Sequence, residues 1–100
     1  MVSLEILISI QPGQRHEFLQ TIDMFHSRQV KGNDRIGCTI FEKVETPNEF
    51  LWVEKWTDQT PLDDYMKTGR FKALLGAIQV LGKLNSIHIS VLKPLKNLPG

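Results

Sequence analysis

The chain has 100 residues, with 12 Lys plus Arg against 11 Asp plus Glu, a formal net charge of +1 and 41% hydrophobic residues. That is the length of one domain with one core, and the near balance of charge argues against a dedicated nucleic-acid binder or a polybasic membrane-surface protein. No apolar run is long enough to cross a bilayer, Met1-Val2-Ser3-Leu4-Glu5 lacks the charged start of a signal peptide, and Cys38 has no second cysteine to pair with, so the chain reads as cytoplasmic.

In chain order, Val2 to Ile10 alternates, with Leu4, Ile6, Ile8 and Ile10 on one side and Ser3, Glu5 and Ser9 on the other. Period two predicts a strand. Gln11-Pro12-Gly13-Gln14 breaks it, and Phe18, Ile22 and Phe25, with Leu19 beside them, recur at helical spacing from Arg15 to about Gln29. A loop over Lys31-Gly32-Asn33-Asp34 leads to a second strand, Arg35 to Glu45, with Ile36, Cys38 and Ile40 on one side and Thr39 and Phe41 on the other. Thr46-Pro47-Asn48-Glu49 connects it to a third strand from Phe50 to Trp56, apolar on both faces.

Thr60 is expected to cap the next helix, with Pro61 at its first position and Asp63 near the positive dipole end. Thr68-Gly69 interrupts that helix. Phe71, Leu74, Leu75 and Ile78 then form one stripe, and Gly82 ends it. From Leu84 to Leu92, Ile87, Ile89 and Val91 alternate with His88, Ser90 and Leu92. The order β-α-β-β-α-β predicts an α+β, ferredoxin-like fold with a four-stranded antiparallel sheet. It occupies residues 1–94, and 95–100 form a C-terminal tail.

Two helices cover one face of such a sheet. The other face receives Leu7 and Leu92, together with either Phe50, Trp52 and Trp56 or Leu51 and Val53. An apolar patch of that kind is expected to be buried by a second copy of the chain, sheet against sheet, in a homodimer.

Pro12-Gly13-Gln14 at the first helix, Glu54-x-Trp56 closing the third strand and a helix ending near Phe71 are together similar to the antibiotic biosynthesis monooxygenase family, over roughly Val2 to Pro94. The resemblance implies dimers whose sheets pack face to face as an α/β barrel, with a small-molecule pocket between sheet and helices in each subunit. Members include quinol and anthrone oxygenases that need no metal or flavin, haem-degrading enzymes and an isomerase. Many quinol-oxidising relatives place a His nine residues after the tryptophan, where this chain has Tyr65. Haem-degrading relatives carry a Trp there, a His where this chain has Leu75 and an Asn where it has Ile6. Leu75 cannot ligate iron and Ile6 cannot hydrogen-bond a bound oxygen, so haem degradation is not expected.

Trp56, Tyr65, Phe71 and Glu54 are the candidate substrate-binding residues, and no catalytic residue is assigned. The aromatic rings are expected to wall a pocket and Tyr65 to hydrogen-bond a substrate oxygen, or the rings simply fill the corner between sheet and helix. Glu54 is either a proton acceptor or half of an ion pair with an Arg or Lys across strands or across a dimer. Cys38 reads as an apolar filler rather than a reactive thiol, and His88 as an interface residue, with a general base as the alternative. His16 and His26 differ by about 80° around the helix axis, so they share no metal site. Lys67, Arg70 and Lys72 are read as a solvated face, the other reading being a basic spot that receives an anionic substrate or product at the pocket mouth. The leading functional reading is a cofactor-independent monooxygenase acting on a small aromatic, quinol or polyketide-like molecule. The alternative is a non-catalytic ligand-binding or dimerisation module. No metal or other cofactor is expected, and no nucleic acid or membrane as partner.

Overall fold

A computed structural model describes residues 1–27 and 34–93. The strands are β1 (Val2–Ile10), β2 (Arg35–Glu42), β3 (Glu49–Trp56) and β4 (Gly82–Val91). The helices are α1 (Arg15–Ser27), entered through a 3-10 turn at Pro12–Gln14, α2 (Gln59–Met66) and α3 (Gly69–Leu81). The sheet order is β2-β3-β1-β4 with every neighbouring pair antiparallel, which is the ferredoxin-like arrangement. The start of β2 and its preceding loop are described only from Asp34 onward, so the expected loop at 31–33 and the tail at 95–100 lie outside the described residues.

Alternation in β1 produces the result its sequence requires: Val2, Leu4, Ile6, Ile8 and Ile10 are all buried beneath the helices. Opposite them on β3 stand Phe50, Trp52, Glu54 and Trp56, which the register places on the same face. Leu51 and Val53 therefore lie on the uncovered face beside Leu7 and Phe41, the last more than half exposed. Helix α1 contributes Phe18 and Ile22, α2 contributes Leu62 and Tyr65, and α3 contributes Phe71, Leu74 and Ile78 to the same core. The Phe18 and Phe50 rings meet at 4.8 Å between centroids.

Several local details differ from expectation. Asp58, not Thr60, caps α2, accepting the Gln59 N–H at 2.8 Å, so Pro61 is the third helical residue. Both placements suit proline, because the first turn's N–H groups have no helical acceptor. Asp63 accepts from the Gln59 side chain at 2.8 Å. Thr68 caps α3 as well as interrupting the preceding helix, and its Oγ accepts from the Phe71 N–H at 3.3 Å. Arg70, expected on a solvated face, donates to the Phe25 carbonyl at 3.1 Å and ties α3 to the end of α1. β4 starts at Gly82, directly opposite Ile10, rather than at Leu84.

β2 ends at Glu42 rather than Glu45, because residues 43–48 turn back, with Asn48 in the left-handed region at φ 69°. The Glu42 carboxylate accepts from two guanidinium nitrogens of Arg15, one at 2.7 Å, and from the Asn48 N–H at 2.9 Å. These bonds fasten the start of α1 to the β2–β3 hairpin and hold the Glu42 carboxyl at about 2, below its ordinary 4.5. A lowered folded-state value means stability that is full above pH 4.5 and lost as pH falls toward about 2. The urea midpoint of the wild type is therefore expected to drop across that window more than that of Glu42→Gln, and high salt should narrow the gap. Parallel pH profiles for the two proteins would contradict this.

Candidate functional site

The W-x-E-x-W run from Trp52 to Trp56 puts three large side chains on one face of β3, because every second residue of a strand points the same way. Glu54 lies between the two indoles and is fully buried, as is Trp52, with Trp56 nearly so. Its carboxylate accepts from Trp52 Nε1 at 2.7 Å and from Trp56 Nε1 at 3.1 Å. Tyr65 descends from α2 and donates its hydroxyl to the same carboxylate at 3.4 Å, near the outer limit of a hydrogen bond. Its ring packs on Trp56 at 4.9 Å and on Phe71 at 5.3 Å between centroids. Thr68 braces this corner by donating to the Tyr65 carbonyl at 2.6 Å while capping the helix that carries Phe71.

The four candidate residues from the sequence are thus brought together in one cage. Two further members were not singled out there. Trp52 supplies the shortest bond to the carboxylate, and the spacing of Trp52, Glu54 and Trp56 on one strand face was the signal for it. The other is Arg35. Its side chain is 11% exposed, and its Nη1 stands 3.8 Å from Glu54 Oε1, a charge contact without a hydrogen bond. Its Nη2 donates to the His26 carbonyl at 3.4 Å.

The electrostatics follow from burial around one anion. Burial and the nearby Glu54 charge both push the Tyr65 hydroxyl above its ordinary value, so it remains a protonated donor. The same two causes push the Cys38 thiol up to about 12, so it stays protonated. His26 donates through Nε2 to the Cys38 carbonyl at 2.8 Å, and its ring meets Trp52 edge-on at 6.5 Å.

A cleft of about 440 Å³ opens between α1 and β2, with Ile22, His26, Cys38, Ile40 and Phe50 among its walls and Arg15 and Glu42 at one end. None of the four candidate residues lines it. Cys38, which does, is the direct cross-strand partner of Glu54, so the cleft's floor adjoins the cage along the β2–β3 ladder. Among the described residues no group of three or more His, Cys, Asp or Glu side chains could hold a metal ion, and no helix is long and apolar enough to cross a membrane.

Residues 1–76 match the model of the antibiotic biosynthesis monooxygenase family, and the chain belongs to that family. It is 32% identical over 77 residues to "Putative monooxygenase YcnE" of Bacillus subtilis (strain 168), covering 75% of this chain and 79% of that protein. Its fold matches a crystal structure from Deinococcus radiodurans described as a "putative antibiotic biosynthesis monooxygenase", with a TM-score of 0.85, 16% identity and full coverage of both chains. A Bordetella bronchiseptica protein of the same description gives a TM-score of 0.76 at 15% identity, over 94% of this chain and 97% of that one.

Proposed function

We propose that the protein is a cofactor-independent monooxygenase of the cytoplasm, acting on a small aromatic, quinol or polyketide-like molecule held between sheet and helices. The observation that carries this reading is the buried Glu54 carboxylate, held by two indole N–H groups and a phenol. An electron-rich phenol or enol needs no metal or flavin to reduce dioxygen once it has lost a proton. The protein's tasks are to accept that proton, steady the oxyanion and keep water away. In this reading Glu54 accepts the proton. The slack 3.4 Å bond from Tyr65 is the one a substrate oxygen can displace most cheaply, leaving the neutral Tyr65 hydroxyl to donate to that oxygen. The rings of Trp56 and Phe71 exclude water.

For an anthrone-type methylene the balance closes without another reductant. One atom of dioxygen becomes the new carbonyl oxygen, the other leaves as water with the two methylene hydrogens, and the substrate supplies all the electrons. The uncovered sheet face, with Leu7, Phe41, Leu51 and Val53, supports a homodimer formed by a second copy packed sheet to sheet.

Oxygen uptake by metal-free protein with a panel of quinols and anthrones tests the reading. Uptake with at least one substrate is expected, falling by roughly tenfold or more in Tyr65→Phe and Trp56→Ala while both stay folded. No uptake across the panel by a folded wild type would refute it.

A further inference from the structure

Strict alternation from Cys38 and Ile40 would send Arg35 to the uncovered face with Gly37 and Thr39. It does not go there. The register passes from Gly37 opposite Lys55 to Arg35 opposite Trp56, so Ile36 is an extra residue in β2 and is left half exposed. Such a bulge reverses the facing of whatever precedes it. Here it turns a guanidinium inward, onto the helix side of the sheet beside Glu54. Arg35 Nη1 is buried there and has no hydrogen-bond partner among the described residues. A buried charged donor left without an acceptor is costly, and native proteins seldom leave one so without a reason.

We propose that Arg35 is the oxyanion-binding residue of this site, the group that takes the negative charge of a ligand oxygen once that oxygen's proton has passed to Glu54. The inference rests on reading the Glu54 cage as the ligand site, but not on oxygenation. The proton passes from the ligand O–H to the Glu54 carboxylate, and the Arg35 guanidinium exchanges its distant contact with Glu54 for the new phenolate or enolate oxygen. No electron moves and the site's net charge is unchanged, because the ligand enters neutral. A planar guanidinium suits this, since it stays charged and directs two N–H bonds at once, one of which already anchors to the His26 carbonyl. Among the described residues, the titratable groups that interact with it are Glu54 from β3, Cys38 from β2 and Tyr65 from α2. Arg70 of α3 also acts on Tyr65, and exposed Asp34 precedes Arg35 in the chain. Glu54 is the carboxylate positioned to take the proton.

The test uses 4-nitrophenol, whose phenolate is yellow and whose neutral form is not. In wild-type protein the bound probe is expected to stay yellow about one pH unit or more below the free probe's transition. Glu54→Gln should still bind the phenolate, whereas Arg35→Gln should weaken phenolate binding about tenfold to a hundredfold. Arg35→Lys should recover part of it. Should Arg35→Gln fold poorly, with Glu54 left unpaired, the Arg35→Gln/Glu54→Gln protein removes both charges and must still lose the acid-shifted yellow band. A bound probe titrating like the free one, equal phenolate affinity in wild type and Arg35→Gln, or no binding to folded wild type would each overturn the assignment. Because the readout is colour and affinity, a failure of oxygen uptake leaves it intact.

Discussion

Glu54→Ala is expected to destabilise the protein by about 3–5 kcal/mol, the range for breaking a buried charge pair by removing one partner. The loss has two parts. Arg35, with its side chain 11% exposed, keeps its charge and loses the only carboxylate in contact with it among the described residues. The N–H groups of Trp52 and Trp56 and the Tyr65 hydroxyl lose their acceptor inside a core that admits little water. Glu54→Gln keeps the volume and one acceptor oxygen, so its stability loss should be smaller, about 1–3 kcal/mol, but it can no longer take a proton. Oxygen uptake should therefore fall in Glu54→Gln by far more than its stability loss explains at a temperature where it is folded. Urea denaturation of the two variants, with uptake measured on the same samples, checks both statements. A Glu54→Ala protein within about 1 kcal/mol of wild type would show that the cage contributes little to the fold.

The second large effect is expected at Gly82, where α3 passes into β4 without a loop. Its backbone is extended, at φ −175°, so the requirement is for space and not for an unusual conformation. A Cβ there would stand 2.2 Å from the Ser9 carbonyl oxygen and 2.9 Å from Ile10 Cα, both backbone atoms of the neighbouring strand. No rotamer relieves that contact; β4 must move away from β1. Gly82→Ala is expected to cost about 3 kcal/mol, at the upper end of overpacking. Gly76, inside α3 with nothing within 4 Å of a built Cβ, is the control. Gly76→Ala should stabilise by about 0.5–1 kcal/mol through helix propensity. Thermal denaturation of the pair checks the contrast, and equal effects would contradict it.

The period-two pattern of β1 and the helical stripe through Phe71, Leu74 and Ile78 made the layer order legible, because burial acts on one face of each of these elements, whereas the alternating Ile87, Ile89 and Val91 of β4 stay exposed. Cap assignment was less so. Asp58 and Thr60, two positions apart, are both of residue types that cap helices, and nothing local decides between them before the chain's exit from β3 is fixed. The bulge at Ile36 was not legible. A strand with one extra residue has the same composition as one without, and the register is set by pairing with β3, a contact distant in sequence. That single residue decides whether Arg35 faces the cage, so the cage's cation could not be read from alternation. The grouping of Glu54, Trp56, Tyr65 and Phe71 was visible, since it arises from one strand end and the helices that follow directly. The α1–β2 cleft was not, because its walls come together only when the sheet forms.

The measurement that bears most directly on the central claim is turnover of an anthrone by metal-free wild-type protein under isotopically labelled dioxygen, with the product examined by mass spectrometry. One labelled oxygen is expected in each product molecule, with the yield collapsing in Glu54→Gln. An unlabelled product, or a labelled one formed equally well by Glu54→Gln, would contradict it.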